Sequence, residues 1–366
     1  MQLIRIAFAF IIIIHGLIHM MGFMRAFKLA TISRLSQTVS KAAGVLWLFT
    51  ALLFVTASVI FLIKKEWWWF FTVPAVLLSQ ILIIFYWRDA RFGTIANVII
   101  LVSTMVGFGR WQFNTMVKKE LRTYNIVMDP EENILTHEMI DTLPPIVQKW
   151  LHRANVIDRE MIQTVYLKQT GNMRTSPGSR WIPFTAEQWF KTYAPGFIWT
   201  ADVKAAPGIY LQGRDKYENG EGHMLIKLLS LFAIADESGV ETDQGSMLRY
   251  LAEIIWFPSV AVSDYIRWEQ AGPGTAKAIM TCGDITASGL FKFNAEGDII
   301  SFEAMRYYTV GNGATLEKWI IQTDPGGYRE FNGVRIPASG TVTWRLEDGD
   351  YTWLKLEIKE ICYNGM

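Results

Sequence analysis

Arg249 and Glu253 stand four residues apart in Gly245–Trp256, a run whose apolar residues Met247, Leu248, Leu251, Ile254 and Ile255 recur at helical spacing. Side chains at that interval share one helix face. They form either a plain ion pair or, where the face opens on a pocket, an acid beside an anion clamp. The ion pair is the expected outcome, because most such pairs do no more than that. Arg306 closes the run Ile300-Ser301-Phe302-Glu303-Ala304-Met305-Arg306, where alternation puts it on one face with Ile300, Phe302 and Ala304. An inward arginine requires a buried acid, and Glu253 or Glu269 is expected to supply it as a structural pair. His15 and His19 are also four apart, inside an apolar stretch. They fit a metal or proton site, the usual role of an ionisable group in a membrane helix. They fit equally two imidazoles hydrogen-bonded across a packing face made tight by Gly16 and Gly22. The second is expected, because the four long apolar runs of this chain contain no Asp, Glu or Cys to complete a ligand set.

Other chemistry is missing from the sequence. There is no serine-centred nucleophile elbow, no HExxH and no paired Cys or Cys/His at zinc spacing. Gly220-Glu221-Gly222 is too short for a dinucleotide fingerprint and lacks a parallel βαβ setting. His137 and His152 have no acid or Cys at ligand spacing and read as surface residues, while His223, opening a helical run, is a poor base candidate. No cofactor and no resident metal are expected. Cys282 and Cys362 read as unpaired, although an oxidising compartment would permit one disulfide.

The elements that must position these residues differ sharply along the chain. The first 110 residues carry ten Lys/Arg against two acids, Glu66 and Asp89, whereas the remaining 256 carry 25 bases and 32 acids. The net charge of +1 is therefore the sum of +8 and −7. Within the basic third lie four charge-free apolar runs, Ile6–Met24, Ala42–Ile63, Trp67–Trp87 and Phe92–Gly109, of 19, 22, 21 and 18 residues. Each approaches the ~20 residues that cross a bilayer as a helix. Lys64-Lys65-Glu66 before Trp67-Trp68-Trp69, Trp87-Arg88 and Arg110-Trp111 place basic and aromatic residues at the span ends. The first run lacks a small-x-small cleavage site and is read as a retained helix. The loops on one side hold Arg25, Lys28, Arg34, Lys41, Arg88 and Arg91, against Arg5, Lys64 and Lys65 on the other, which tips the C-terminal domain towards the extracytoplasmic side. Counting Arg110, Lys118, Lys119 and Arg122 after the last span reverses the balance to seven against six.

Residues 111–158 read as a juxtamembrane linker: polar over Tyr124–Asn133, then short amphipathic helices broken at Pro144-Pro145. After Ile162 the period changes from helical to two. Phe197–Lys204, Asp284–Phe293, Thr341–Leu346 and Thr352–Ile361 alternate apolar with polar residues, separated by turn signals such as Asn332-Gly333 and Asp348-Gly349-Asp350. About ten hairpin-connected strands are expected, interrupted by a helical insertion over 221–258 made of Glu221–Asp236 and Gly245–Trp256. The fold class is thus a four-helix transmembrane bundle (1–110) followed by a mostly antiparallel, curved, half-barrel-like α+β domain (159–366). The mildly acidic domain, with scattered Lys and Arg, excludes a nucleic-acid partner.

Several segments resemble an uncharacterised bacterial family of membrane-anchored proteins, a domain of unknown function. They are Gly171 with Trp181-Ile182-Pro183-Phe184-Thr185-Ala186-Glu187-Gln188, Phe197-Ile198-Trp199, Gly220-Glu221-Gly222, Arg249 to Pro258, Arg306-Tyr307, Arg335-Ile336-Pro337 and Trp344. The likeness runs over most of Leu143–Asn364, and His15-Gly16-Leu17-Ile18-His19 resembles members with the same helical region. It implies an inner-membrane envelope protein but carries no catalytic residue over. By architecture alone the domain is similar to the lipoprotein-carrier half-barrel, which says nothing of function. The expected function is a binding module, more than an enzyme, with a lipid or acylated ligand in the concave face beside the bilayer and the inserted helices as plug or lid. Trp199, Arg249, Glu253, Trp256, Phe291, Phe293, Arg306 and Trp344 are its candidate ligand contacts, with the aromatics serving equally well as plain core. An enzyme acting on a lipid-like substrate through Arg249, Glu253 and Arg306, and an envelope assembly factor, are the alternatives.

Overall fold

The computed structural model describes residues 2–30, 36–122, 124, 134–310 and 313–365. Two compact units divide the chain. One holds Met1–Val117 with Leu229–Leu231, the other Lys118–Leu228 with Phe232–Met366.

The first unit is helical: α1 (Gln2–Ala26), α2 (Lys41–Leu62), α3 (Trp69–Phe85), the short α4 (Trp87–Ala90) and most of α5 (Gly93–Leu121). Among the described residues four helices are long and apolar enough to cross a membrane: Leu3–Ala26, Lys41–Leu62, Glu66–Phe85 and Gly93–Leu121. Their exposed residues include Leu3, Phe10, Leu17, Leu52, Leu77 and Phe85, an outward apolar surface suited to hydrocarbon. The expected Gly16/Gly22 seam is present. A Cβ on Gly16 would stand 2.9 Å from Phe54 Cβ and one on Gly22 2.4 Å from the Trp47 ring, so only small residues let α1 and α2 approach this closely.

The second unit is built on a 13-stranded antiparallel sheet in the order β6-β5-β4-β3-β2-β1-β15-β14-β11-β10-β9-β8-β7. One wing comprises β1 (Thr164–Met173), β2 (Ile182–Lys191), β3 (Gly196–Ala206), β4 (Ile209–Glu218), β5 (Glu221–Leu228) and β6 (Phe232–Ser238). The other comprises β7 (Ile266–Gly272), β8 (Thr275–Cys282), β9 (Ile285–Phe293), β10 (Ile299–Val310), β11 (Gly313–Thr323), β14 (Ser339–Leu346) and β15 (Gly349–Tyr363). β12 (Tyr328–Phe331) and β13 (Val334–Pro337) form a separate ribbon. The chain crosses from edge strand β6 to edge strand β7 through α8 (Val240–Glu253) and two short 3-10 turns. α8 touches β4, β5 and β6 as well as β8, β9 and β10. A helix can touch both wings of so wide a sheet only if the sheet curls around it, which makes the unit a half-barrel with α8 as its filling.

Three expectations are corrected. Glu221–Asp236 is not a helix but the β5–β6 hairpin, and the strands among the described residues are fifteen rather than about ten. This run is apolar on both faces, Met224 and Ile226 inward and Leu225 outward, so the period of two disappears and a helical spacing fits by chance. Its turn was hidden as well, because Leu229 and Ser230 adopt φ of 52° and 61°, a conformation usually signalled by Gly or Asn. Within 111–158 the expected short helices are present, but they pack into the β unit. α5 continues to Leu121, and α6 (His137–Ile140) and α7 (Pro145–Arg153) send Ile140, Val147, Trp150 and Leu151 into the core of the β unit. Residues 125–133 of the expected polar stretch lie outside the described residues.

Candidate functional site

Between the two wings and against α8 lies a cavity of about 430 Å³, within the range of small-molecule sites. Its walls are mainly apolar, with Trp199, Val203 and Ile226 from one wing, Trp319, Ile321, Val342 and Leu354 from the other, and Ile255 and Trp256 following α8. Strand alternation accounts for this, since Trp199, Asp215 and Met224 lie directly opposite one another on neighbouring strands and therefore on one face.

A chain of hydrogen bonds crosses one wall. Trp199 Nε1 donates to Gln169 Oε1 at 3.1 Å, Gln169 Nε2 to Gln188 Oε1 at 3.3 Å, and Gln188 Nε2 to Glu253 Oε2 at 2.8 Å. Each amide's orientation is fixed by its neighbours in this series. Arg249 completes it, donating from Nε to Glu253 Oε1 at 2.8 Å and from Nη1 to Asp215 Oδ2 at 2.6 Å. Its guanidinium also lies 4.9 Å from the Phe197 ring centre and 5.0 Å from that of Trp199. Burial pushes the Glu253 carboxyl above its usual range and the charge of Asp215 adds to this, against the opposing pull of Arg249 and Gln188. Burial acts on Arg249 in the unfavourable direction too, but the charges of Glu253 and Asp215 hold it protonated, above its ordinary value. The expected i, i+4 pair therefore exists, as part of a buried triad whose second acid lies on β4.

Arg306 faces inward as expected, but without an acid. It makes no hydrogen bond or ion pair among the described residues, and its enclosed Nε has no partner. Glu253 is held by Arg249, and Glu269 is an exposed partner of Arg267. What Arg306 has instead is aromatic support, Trp319 at 4.8 Å and Trp344 at 5.8 Å. Burial lowers its pKa to about 10, still charged at neutral pH. Its expected companion Ile300 is not on the inner face. A bulge between Ile299 and Ser301 turns Ile300 out, 40% exposed, and puts Ile299 in the core.

Of the eight expected contacts, Trp199, Arg249, Glu253, Trp256 and Arg306 line the cavity, and Trp344 lies behind Arg306. Phe291 and Phe293 do not. Phe291 packs between Trp268 and Phe302, and Phe293 beside Trp150, as plain core. Asp215, Gln169, Gln188, Trp319 and Arg174 were missed, because membership of this wall depends on strand register and no local motif marks it.

His223 lies on β5, where it receives a hydrogen bond from Arg214 at Nδ1 (2.9 Å) and holds Asp236 through Nε2 (2.7 Å). His137 stands 3.7 Å from Asp158 at the surface. In the helical unit His15 and His19 share Ser79, at 3.3 and 2.9 Å. His15 Nε2 also meets Asn97 Oδ1 at 2.9 Å, and His19 Nδ1 donates to the His15 carbonyl at 2.8 Å. As neutral imidazoles, with His15 protonated on Nε2 and His19 on Nδ1, they donate to Asn97 Oδ1 and the His15 carbonyl, and the single Ser79 proton goes to His19 Nε2 or to Asn97 Oδ1. No group of three or more His, Cys, Asp or Glu suited to a metal occurs among the described residues. Cys282 and Cys362 are free thiols.

No curated protein and no solved structure matches the chain. A family model does, over residues 133–356, a stretch that contains all eight expected contacts; it is described as a family of unknown function, DUF6544.

Proposed function

We infer that the chain, which belongs to the DUF6544 family of unknown function, is a membrane-anchored binding protein that holds a lipid or other apolar ligand inside its curled sheet. The observation that carries this is the 430 Å³ hollow, walled mainly by apolar side chains such as Trp199, Ile226, Trp319, Val342 and Leu354. Close packing is the rule for protein interiors, and an apolar void of this size forfeits contacts that a ligand would restore. α8 supports the role of fixed wall rather than mobile lid, because both its ends are tied to edge strands. The helical anchor belongs in the cytoplasmic membrane, with the β unit on the extracytoplasmic side.

Catalysis by Arg249, Glu253 and Arg306 has less support. Arg249 and Glu253 use their charged atoms on one another, Asp215 and Gln188, which leaves no free acid or base. Mass spectrometry of protein extracted in a mild detergent tests the binding role. A co-purifying lipid-like species lost on denaturation is expected, and a consistently ligand-free protein would reject it. A reporter fused after Met366, active on one side of the membrane only, tests the orientation.

A further inference from the structure

We propose that Arg306 is the head-group anchor of this cavity, and that the ligand is an anionic amphiphile, a hydrocarbon chain ending in a carboxylate or phosphate. The proposal rests on the binding role above and narrows its ligand class. The other arginines near this cavity are placed differently, although the Arg174 Nε also lacks a partner. Arg249 is held by Asp215 and Glu253, Arg214 by Glu120, and Arg174 lies over Trp181. Arg306 combines an inward position between Trp319, Trp344 and α8 with donors that no described residue uses, five N–H groups in a planar fork. Its cross-strand neighbour Glu317 makes no ion pair with it within the described residues.

Two features hold the side chain ready. Trp319 and Trp344 fix the guanidinium through its face, so its edge stays available. Gly245 on α8 keeps the space beside it open, because a Cβ there would come within 3.1 Å of Arg306 Nε. An unpaired buried cation is costly, and an anion supplied by the ligand removes that cost. The lining charge agrees in sign: with Arg214 on the outward face opposite Leu225, three arginines (174, 249 and 306) stand against two acids, Asp215 and Glu253. A planar fork prefers carboxylate or phosphate, which accept two parallel bonds.

The test uses the full chain in a neutral detergent, with a fluorescent hexadecanoate displaced by unlabelled hexadecanoate, hexadecyl phosphate or hexadecanol. At least one anion should displace the probe at concentrations about tenfold or more below the alcohol, and which anion is better identifies the head group. Arg306→Met should weaken the probe itself and abolish the anions' advantage over the alcohol; Arg306→Lys should keep part of it. If hexadecanol competes as well as both anions on the unmodified protein, the anchor is wrong although binding stands. If none of the three displaces the probe or no probe binds, the binding role itself fails. A preference that survives in Arg306→Met also overturns the proposal.

Discussion

Replacing Arg249 by methionine removes the cation that two buried carboxylates share. Asp215 and Glu253 would remain inside, 12% and 7% exposed at their side chains, with their best partner gone. Breaking a buried pair in this way costs about 3–5 kcal/mol, and the lost contacts with Phe197 and Trp199 add about 0.5 kcal/mol or more. In a domain of this size each kcal/mol lowers Tm by about 2–4 °C, so a fall of roughly 7–22 °C is expected. The loss should depend on pH with a definite sign. Without Arg249, burial and the charge of Asp215 hold the folded-state Glu253 carboxyl above its unfolded pKa with nothing but Gln188 to oppose them. The destabilisation then grows as pH rises from the unfolded towards the folded value, and acid relieves it by protonating Glu253. Thermal unfolding of the detergent-solubilised chain, followed by tryptophan fluorescence, should show a deficit at about pH 8 that is visibly smaller at about pH 5. The triple variant Arg249→Met, Glu253→Gln, Asp215→Asn should recover much of the loss, since no charge is then stranded. A deficit under about 1 kcal/mol, or one identical at both pH values, would refute the reasoning.

Other perturbations follow from single contacts. Gly289→Ala drives a Cβ to within 2.2 Å of the Phe302 ring and should cost about 1–3 kcal/mol, read as a lower Tm. Ser79→Ala removes the hydroxyl shared by His15, His19 and Asn97, and should cost about 0.5–1.5 kcal/mol of resistance to denaturing detergent. Asp298 is held below the usual carboxylate range because hydrogen bonds and charge from Arg335, with the charge of Arg153, outweigh burial. Its stabilisation is therefore present above the unfolded pKa of about 3.9 and lost as pH falls through the lower folded value. Asp298→Asn should lower stability at neutral pH and flatten the acid limb of a pH–stability curve; a parallel curve would count against the pair.

The membrane spans were legible because the bilayer imposes a length and forbids charge, so a run of residues is itself the signal. Strands with one wet face, such as Ile285–Phe293, were legible through alternation. The β5–β6 hairpin was not, since its two apolar faces erase the alternation that marks a half-buried strand. At the cavity, Arg249 and Glu253 could be joined by helical spacing alone. Asp215 could not, because it reaches Arg249 through the pairing of β3 with β4, a register no local pattern states. Arg306 was placed on the correct face by its neighbours Phe302 and Ala304, but the identity of what it would meet there was wrong. Long-range register decides which charges face each other, and it brought Trp319 and Trp344 where an acid was expected.

The strand order has a consequence for how the domain comes into being. β1 and β15 lie side by side at the middle of the sheet, with Val165 opposite Tyr363 and Leu167 opposite Ile361. Each wing is otherwise a meander of local hairpins that can form as soon as it leaves the ribosome. The seam joining them waits for the last strand to be made, and until then β1 and β14 are bare edges open to wrong pairing. A stop codon shortly before β15 would thus leave two unjoined half-sheets rather than a slightly shorter domain.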